Sequence, residues 1–98
     1  MVIHIALYKW RTGTTQEQIS QALKSVQELK NKVDGIQDIF AGENYHKEAK
    51  GFTYGIVVIA QNQQSLDSYR KHPDHAIVAG LIEKMEEDGL GFDFKNLE

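Results

Sequence analysis

The apolar residues of this chain change period along its length, from alternation to helical spacing and back, and those changes mark its elements. From Val2 to Trp10 the side chains alternate, with Ile3, Ile5 and Leu7 on one face and Val2, His4, Ala6, Tyr8 and Trp10 on the other, as in a strand. The first set is purely aliphatic and suits helices packed against a sheet. The second carries an imidazole, a phenol and an indole, and suits another buried, partly polar surface where a pocket forms. Arg11 to Thr15 is a turn through Gly13, and both Thr14-x-x-Glu17 and Thr15-x-x-Gln18 fit the capping box that supplies acceptors to the free amides of a helix start. Ile19, Ala22, Leu23, Val26, Leu29 and Val33 follow at helical spacing, and Asp34-Gly35 is the stop, because glycine takes the left-handed conformation of a C-cap.

Gly35 to Glu43 reads as a second strand. Phe52 to Ala60 is the third, with Phe52, Tyr54, Ile56, Val58 and Ala60 on one face and Thr53, Gly55, Val57 and Ile59 on the other, so both faces are expected to be buried. Gln61 to Ser65 opens a short helix carrying Leu66 and Tyr69. It ends near Lys71, since the residue before a proline is pushed out of the α region. Pro73 fits the first position of a further helix with Ala76, Ile77, Ala79, Gly80, Leu81, Ile82 and Met85 inward. Glu83 to Asp88 reads as its solvated end and Gly89 to Phe94 as the last strand.

The order β-α-β-β-α-β, with the second helix broken at Pro73, is the α+β ferredoxin-like arrangement: a four-stranded antiparallel sheet with helices on one face. If the helices take the Ile3, Ile5 and Leu7 face, the face with Val2, Ala6, Tyr8 and Trp10 is too apolar for water, and a homodimer whose sheets close into an α+β barrel buries it. Size points the same way. A single domain of 98 residues without cysteine has no disulfide to lean on, and buries only roughly 60 to 65% of its unfolded surface, so association is the remaining support. The missing thiols also exclude a cysteine nucleophile and a cysteine-rich zinc site. Lys and Arg number 11 against 14 Asp and Glu, for a net charge of −3 with the signs interspersed. No basic stripe results, and nucleic acid is not an expected partner. No stretch approaches the ~20 apolar residues of a membrane span, and the start has no cationic leader region, so the expectation is a cytoplasmic protein without a membrane partner.

Tyr69, His72, Pro73 and His75 fall within seven residues and surround a helix start. His75 lies about three residues into that helix, near the positive end of its dipole, where neutral imidazole is favoured and acts as a general base. Tyr69 is placed to donate its phenolic hydrogen to a substrate or enolate oxygen. His4, on the polar face of the first strand, is the orienting group, and Tyr8, Trp10 and His72 complete the candidate binding residues. The same side chains have structural readings: His75 on a backbone carbonyl, His72 as a cap, Tyr69 in the core, Trp10 in an interface. His72-Pro73-Asp74-His75 holds two imidazoles and a carboxylate, but the proline breaks the spacing of paired helical ligands and no further ligand cluster follows, so no metal is expected. The glycines are scattered and form neither a phosphate loop nor a dinucleotide fingerprint, and no cofactor is expected.

Three segments, His4-Ile5-Ala6-Leu7-Tyr8-Lys9-Trp10, Gly51-Phe52-Thr53-Tyr54-Gly55-Ile56-Val57-Val58 and Leu66-Asp67-Ser68-Tyr69-Arg70-Lys71-His72-Pro73-Asp74-His75, resemble the stress-responsive α/β-barrel domain family. The resemblance extends over nearly the whole chain and implies a ferredoxin-like protomer and a barrel-forming homodimer. One plant member is a polyketide cyclase that closes a linear poly-β-keto thioester by an aldol step. The positions matching its catalytic Tyr and His are Tyr69 and His75, and His4 and His72 match two further pocket histidines, which implies acid/base enolate chemistry on a small oxygenated compound. Ile59-Ala60-Gln61-Asn62 departs from the family pattern, and Ala76, Ala79 and Gly80 are small where bulkier residues shape a long tunnel, so the substrate does not carry over. A dimeric ligand-binding or stress-related module without chemistry accounts for the same residues, and Trp10 with a pocket His also fits related barrels that bind haem or oxidise aromatic compounds.

Overall fold

The computed structural model describes residues 1–97. Its elements are β1 (Val2–Trp10), α1 (Gln16–Glu28), a 3-10 turn (Leu29–Asn31), β2 (Ile36–Glu43), β3 (Tyr54–Ala60), α2 (Gln63–Lys71), α3 (Pro73–Met85) and β4 (Glu86–Lys95). The strands form one antiparallel sheet in the order β2-β3-β1-β4, the ferredoxin-like topology expected from the element order. Local chemistry accounts for the helix starts. The Thr15 hydroxyl accepts from the Gln18 amide at 3.1 Å and the Gln18 side chain accepts from the Thr15 amide at 2.9 Å, a complete capping box. Thr14 takes no part and donates to the Arg11 carbonyl instead. Asn62 caps α2, while His72 ends α2 in extended backbone and caps α3 by accepting the Asp74 amide on Nδ1 at 3.1 Å. Among the described residues no helix is long and apolar enough to cross a membrane.

The sheet presents its faces in the opposite sense to the one expected from β1 alone. Val2, Tyr8, Ile39, Ile56, Val58 and Ala60 are buried with Ile19, Leu23 and Val26 of α1, Leu66 and Tyr69 of α2, and Val78 and Ile82 of α3. Ala6, Trp10 and Tyr54 pack against that core. The helices therefore cover the His4 and Tyr8 side of β1, and the aliphatic Ile3, Ile5 and Leu7 side is open. Registry across the sheet decides this: Val2, His4 and Ala6 pair with Ala60, Val58 and Ile56, while Ile3, Ile5 and Leu7 pair with Ile59, Val57 and Gly55 and with Phe94, Phe92 and Leu90. A shift in pairing between Ile36 and Asp38 brings Ile36 and Ile39 to the same helix-covered face. The open face is correspondingly apolar, with Phe40, Leu90 and Phe92 each more than half exposed.

Two boundaries also differ from expectation. The first α-helix ends at Glu28 rather than Val33, and its last apolar residues are carried by the 3-10 turn, where the Lys32 and Val33 amides share the Leu29 carbonyl. The acidic run does not stay helical: Glu86 to Asp88 begin β4, three residues earlier than the apolar alternation implied.

Gly35, the expected stop, has φ of +83°, and a Cβ placed there lies 2.0 Å from the Ser65 hydroxyl at the start of α2. Its carbonyl also accepts the Gln61 amide at 2.8 Å. Both the left-handed backbone and the close approach require glycine. Gly35→Ala is expected to lower stability by about 2 kcal/mol, or roughly 10 °C in Tm for a domain of this size. A thermal melt within ~2 °C of the parent contradicts that expectation.

Candidate functional site

A cavity of about 370 Å³ lies between the helix-covered face of the sheet and α3, near the lower end of the range for small-molecule sites. His4 and Tyr8 reach it from β1, Tyr69 from α2, and His75, Val78, Ala79, Ile82, Glu83 and Glu86 from one stripe of α3 and its end, with Val26, Leu29 and Ile56 as apolar walls. The placement follows from the elements. His4 and Tyr8 are four residues apart and so share a strand face. His75, Val78, Ala79, Ile82, Glu83 and Glu86 follow helical spacing along the inner side of α3. Pro73 lets α3 turn away from α2, so that Tyr69 on the last turn of one helix meets His75 on the first turn of the next. The two rings are in edge-to-face contact, 4.6 Å between centroids.

The electrostatics of this contact are one-sided. Burial pushes the His75 imidazole below its usual value, and His4, Arg70 and His72 add to the shift by disfavouring a further positive charge. Neutral His75 is the form present near pH 7. Tyr69 is only 2% exposed, and burial pushes its phenol up to about 12, against a smaller opposing effect of Arg70. Its hydroxyl has no hydrogen-bonding partner among the described residues and is not sealed off as an orphan, so it is left open to the cavity.

His4 is oriented from behind. Its Nδ1 is 2.6 Å from Asp93 Oδ1, and Asp93 Oδ2 accepts from Arg70 Nη2 at 2.5 Å. At 2.6 Å from a carboxylate, Nδ1 carries the hydrogen and donates it. Arg70 Nη2 is 3.1 Å from the same Nδ1, and the hydrogen bond it donates goes to Asp93 Oδ2. Burial alone raises the Asp93 carboxyl, but the hydrogen bonds from Arg70 and His4 outweigh it and hold the group below the usual range.

Four of the six residues singled out from the sequence, His4, Tyr8, Tyr69 and His75, line this one cavity. The other two are not on its wall. His72 is committed to capping α3, and Trp10 stacks on Tyr8 at 5.0 Å with its indole N–H buried and without a partner. Asp93, Arg70, Glu83 and Glu86 were not anticipated. Asp93 had a readable signal: it alternates with Phe92 and Phe94 and so faces the side of the sheet opposite to theirs. Glu83 and Glu86 share the helical stripe of His75, a signal hidden by their place in an acidic run. Among the described residues no group of three or more His, Asp or Glu side chains is arranged to hold a metal ion.

The model of the Stress Responsive A/B Barrel Domain family matches residues 2–96. Olivetolic acid cyclase from Cannabis sativa is 23% identical over 95 residues, which cover 95% of this chain and 94% of the cyclase. A crystal structure of a protein from Arabidopsis thaliana superposes with a TM-score of 0.92 at 20% identity, over 100% of this chain and 97% of that one. A dimeric ferredoxin-like protein of unknown function from Thermobifida fusca superposes with a TM-score of 0.83 at 22% identity, over 95% and 88% of the two chains.

Proposed function

The chain belongs to the stress responsive A/B barrel domain family, and from that premise we propose that it is a homodimer whose subunits each bind a small oxygenated compound and perform acid/base chemistry on the carbon next to its carbonyl. The observation that carries this reading is the pairing of a buried, unpartnered Tyr69 hydroxyl with a His75 held neutral, on the wall of one cavity. His75 removes a hydrogen from that carbon. The C–H electron pair becomes the new C=C bond, the carbonyl π pair moves to oxygen, and the resulting enolate oxygen accepts a hydrogen bond from Tyr69. Return of the proton from His75 closes the cycle, or the enolate carbon attacks a second carbonyl of the same molecule, whose π pair moves to its oxygen, and that alkoxide takes the proton from His75. His4 faces the bound compound from β1, and Asp93 and Arg70 hold His4 in place as positioning residues. Its relative named as a cyclase supports this class of chemistry. The dimeric neighbour and the apolar open face of Ile3, Ile5, Leu7, Phe40, Leu90 and Phe92 support sheet-to-sheet pairing.

Hydrogen–deuterium exchange at the central carbon of acetylacetone, followed by NMR in D₂O, tests the chemistry without knowledge of the natural substrate. The protein is expected to accelerate exchange above the buffer rate. Because the base must be neutral and its pKa is lowered, the accelerated rate is lost on the acid side with a midpoint below 6.5. On the alkaline side no limb from the phenol appears before about 12. Exchange equal to that in buffer across the whole pH range contradicts the reading.

A further inference from the structure

The far end of the cavity has a chemistry of its own. Tyr8 is 8% exposed, lines the cavity, and its hydroxyl has no hydrogen-bonding partner among the described residues and is not sealed off as an orphan. A second buried phenol is therefore left open to the cavity besides Tyr69. Tyr8 pairs across the sheet with Gly89, and the Glu86 carboxylate folds over that glycine: a Cβ on Gly89 lies 2.3 Å from Glu86 Oε2. The missing side chain at position 89 makes the room the carboxylate occupies beside Tyr8. Burial, and then Asp88 and Glu83, push the Glu86 carboxyl up, and burial, then Tyr69 and then Glu86, raise the Tyr8 phenol. Glu83 lines the same end from one turn earlier, and neither carboxylate forms an ion pair among the described residues.

Along the backbone this end is set apart from the histidines: Tyr8 is four strand residues beyond His4, a rise of roughly 13 Å, and Glu86, the residue after α3, is eleven residues beyond His75, a rise of roughly 16 Å. Between them the walls are Ile56, Val78 and Ile82. We propose that Tyr8, Glu86 and Glu83 form a second polar subsite, so that the cavity takes a bipolar molecule: an enolisable carbonyl at Tyr69 and His75, a short apolar middle, and a hydrogen-bond donor, an ammonium above all, at Glu86 and Tyr8. A molecule ending in a carboxylate is excluded by the two like charges. The inference rests on the acid/base reading for its carbonyl end and on Tyr8, Glu86 and Gly89 for the other.

Four straight-chain β-diketones of equal length, ending in methyl, hydroxymethyl, dimethylammonium or carboxylate, test it by calorimetric titration of the whole chain. The ammonium compound is expected to bind about tenfold more tightly than the methyl compound and the carboxylate about tenfold more weakly, as charge-assisted hydrogen bonds require. Glu86→Gln is expected to shrink the ammonium-to-carboxylate ratio about tenfold, and Tyr8→Phe to weaken the hydroxymethyl compound several-fold. Gly89→Ala, which displaces the carboxylate without removing it, is expected to act like Glu86→Gln, so that the result does not depend on one variant folding. Equal affinities across the series, a ranking unchanged in both Glu86→Gln and Gly89→Ala, or no binding of any member overturns the subsite. The His75 imidazole resonance, recorded in the same titrations, separates the two readings. A series that shifts it without ranking by end group overturns the subsite alone, and a ranked series that leaves it unmoved overturns the carbonyl-end assignment.

Discussion

Ile5→Asp is expected to yield a monomer. Ile5 lies in the middle of the open sheet face, between Val57 on β3 and Phe92 on β4, and Phe92 beside it is 60% exposed in the single chain. Two such faces packed together bury Ile5 from both subunits, so the substitution brings two carboxylates into one apolar layer with no partner for either. Breaking a buried arrangement in this way costs about 3 to 5 kcal/mol, enough to raise the dimer Kd more than 100-fold. Light scattering at micromolar concentration is expected to give twice the 11.1 kDa chain mass for the parent and for Ile5→Val, and the single-chain mass for Ile5→Asp. A dimer that survives Ile5→Asp places the interface elsewhere.

The second large effect is on chemistry. His75→Ala is expected to remove the acceleration of carbon–hydrogen exchange, a loss of about 100- to 10,000-fold, because the substitution takes away the assigned general base. Tyr69→Phe keeps the ring contact with His75 but takes away the oxyanion donor, and is expected to lower the rate by about 100-fold or more. Asp93→Asn acts at one remove, through the tautomer of His4. Its effect is expected in the rate rather than in the melting temperature, since Asp93 is well exposed. Parent-like exchange in His75→Ala contradicts the assigned base.

The element order, the break at Pro73, the Thr15–Gln18 box and the left-handed Gly35 were all readable from residues, because each depends on local geometry. His4, Tyr69 and His75 stand out in the sequence as candidates because few residue types do acid/base work and each sits at a helix or strand position with a defined direction, and the structure brings the three to one cavity. The sheet faces were not readable from β1, where both sides are apolar and alternation has no polar side to mark as outward. Pairing resolves them only when Gly55, Phe40 and the pairing shift beside Ile36 are added, and register is a tertiary property. Glu86 was missed for a related reason. A carboxylate in a run of four acids looks solvated until Gly89, on the strand that follows, leaves the space that admits it to the cavity.

Both the chemistry and the ligand class depend on a neutral His75 beside an open Tyr69 hydroxyl. An NMR titration of the four histidines, with and without acetylacetone, measures that directly. The expected result is a His75 that titrates below 6.5, and resonances of His75 and Tyr69 that shift together as one diketone binds per chain. A His75 that titrates at or above its ordinary value, with neither resonance moved by the diketone, contradicts it.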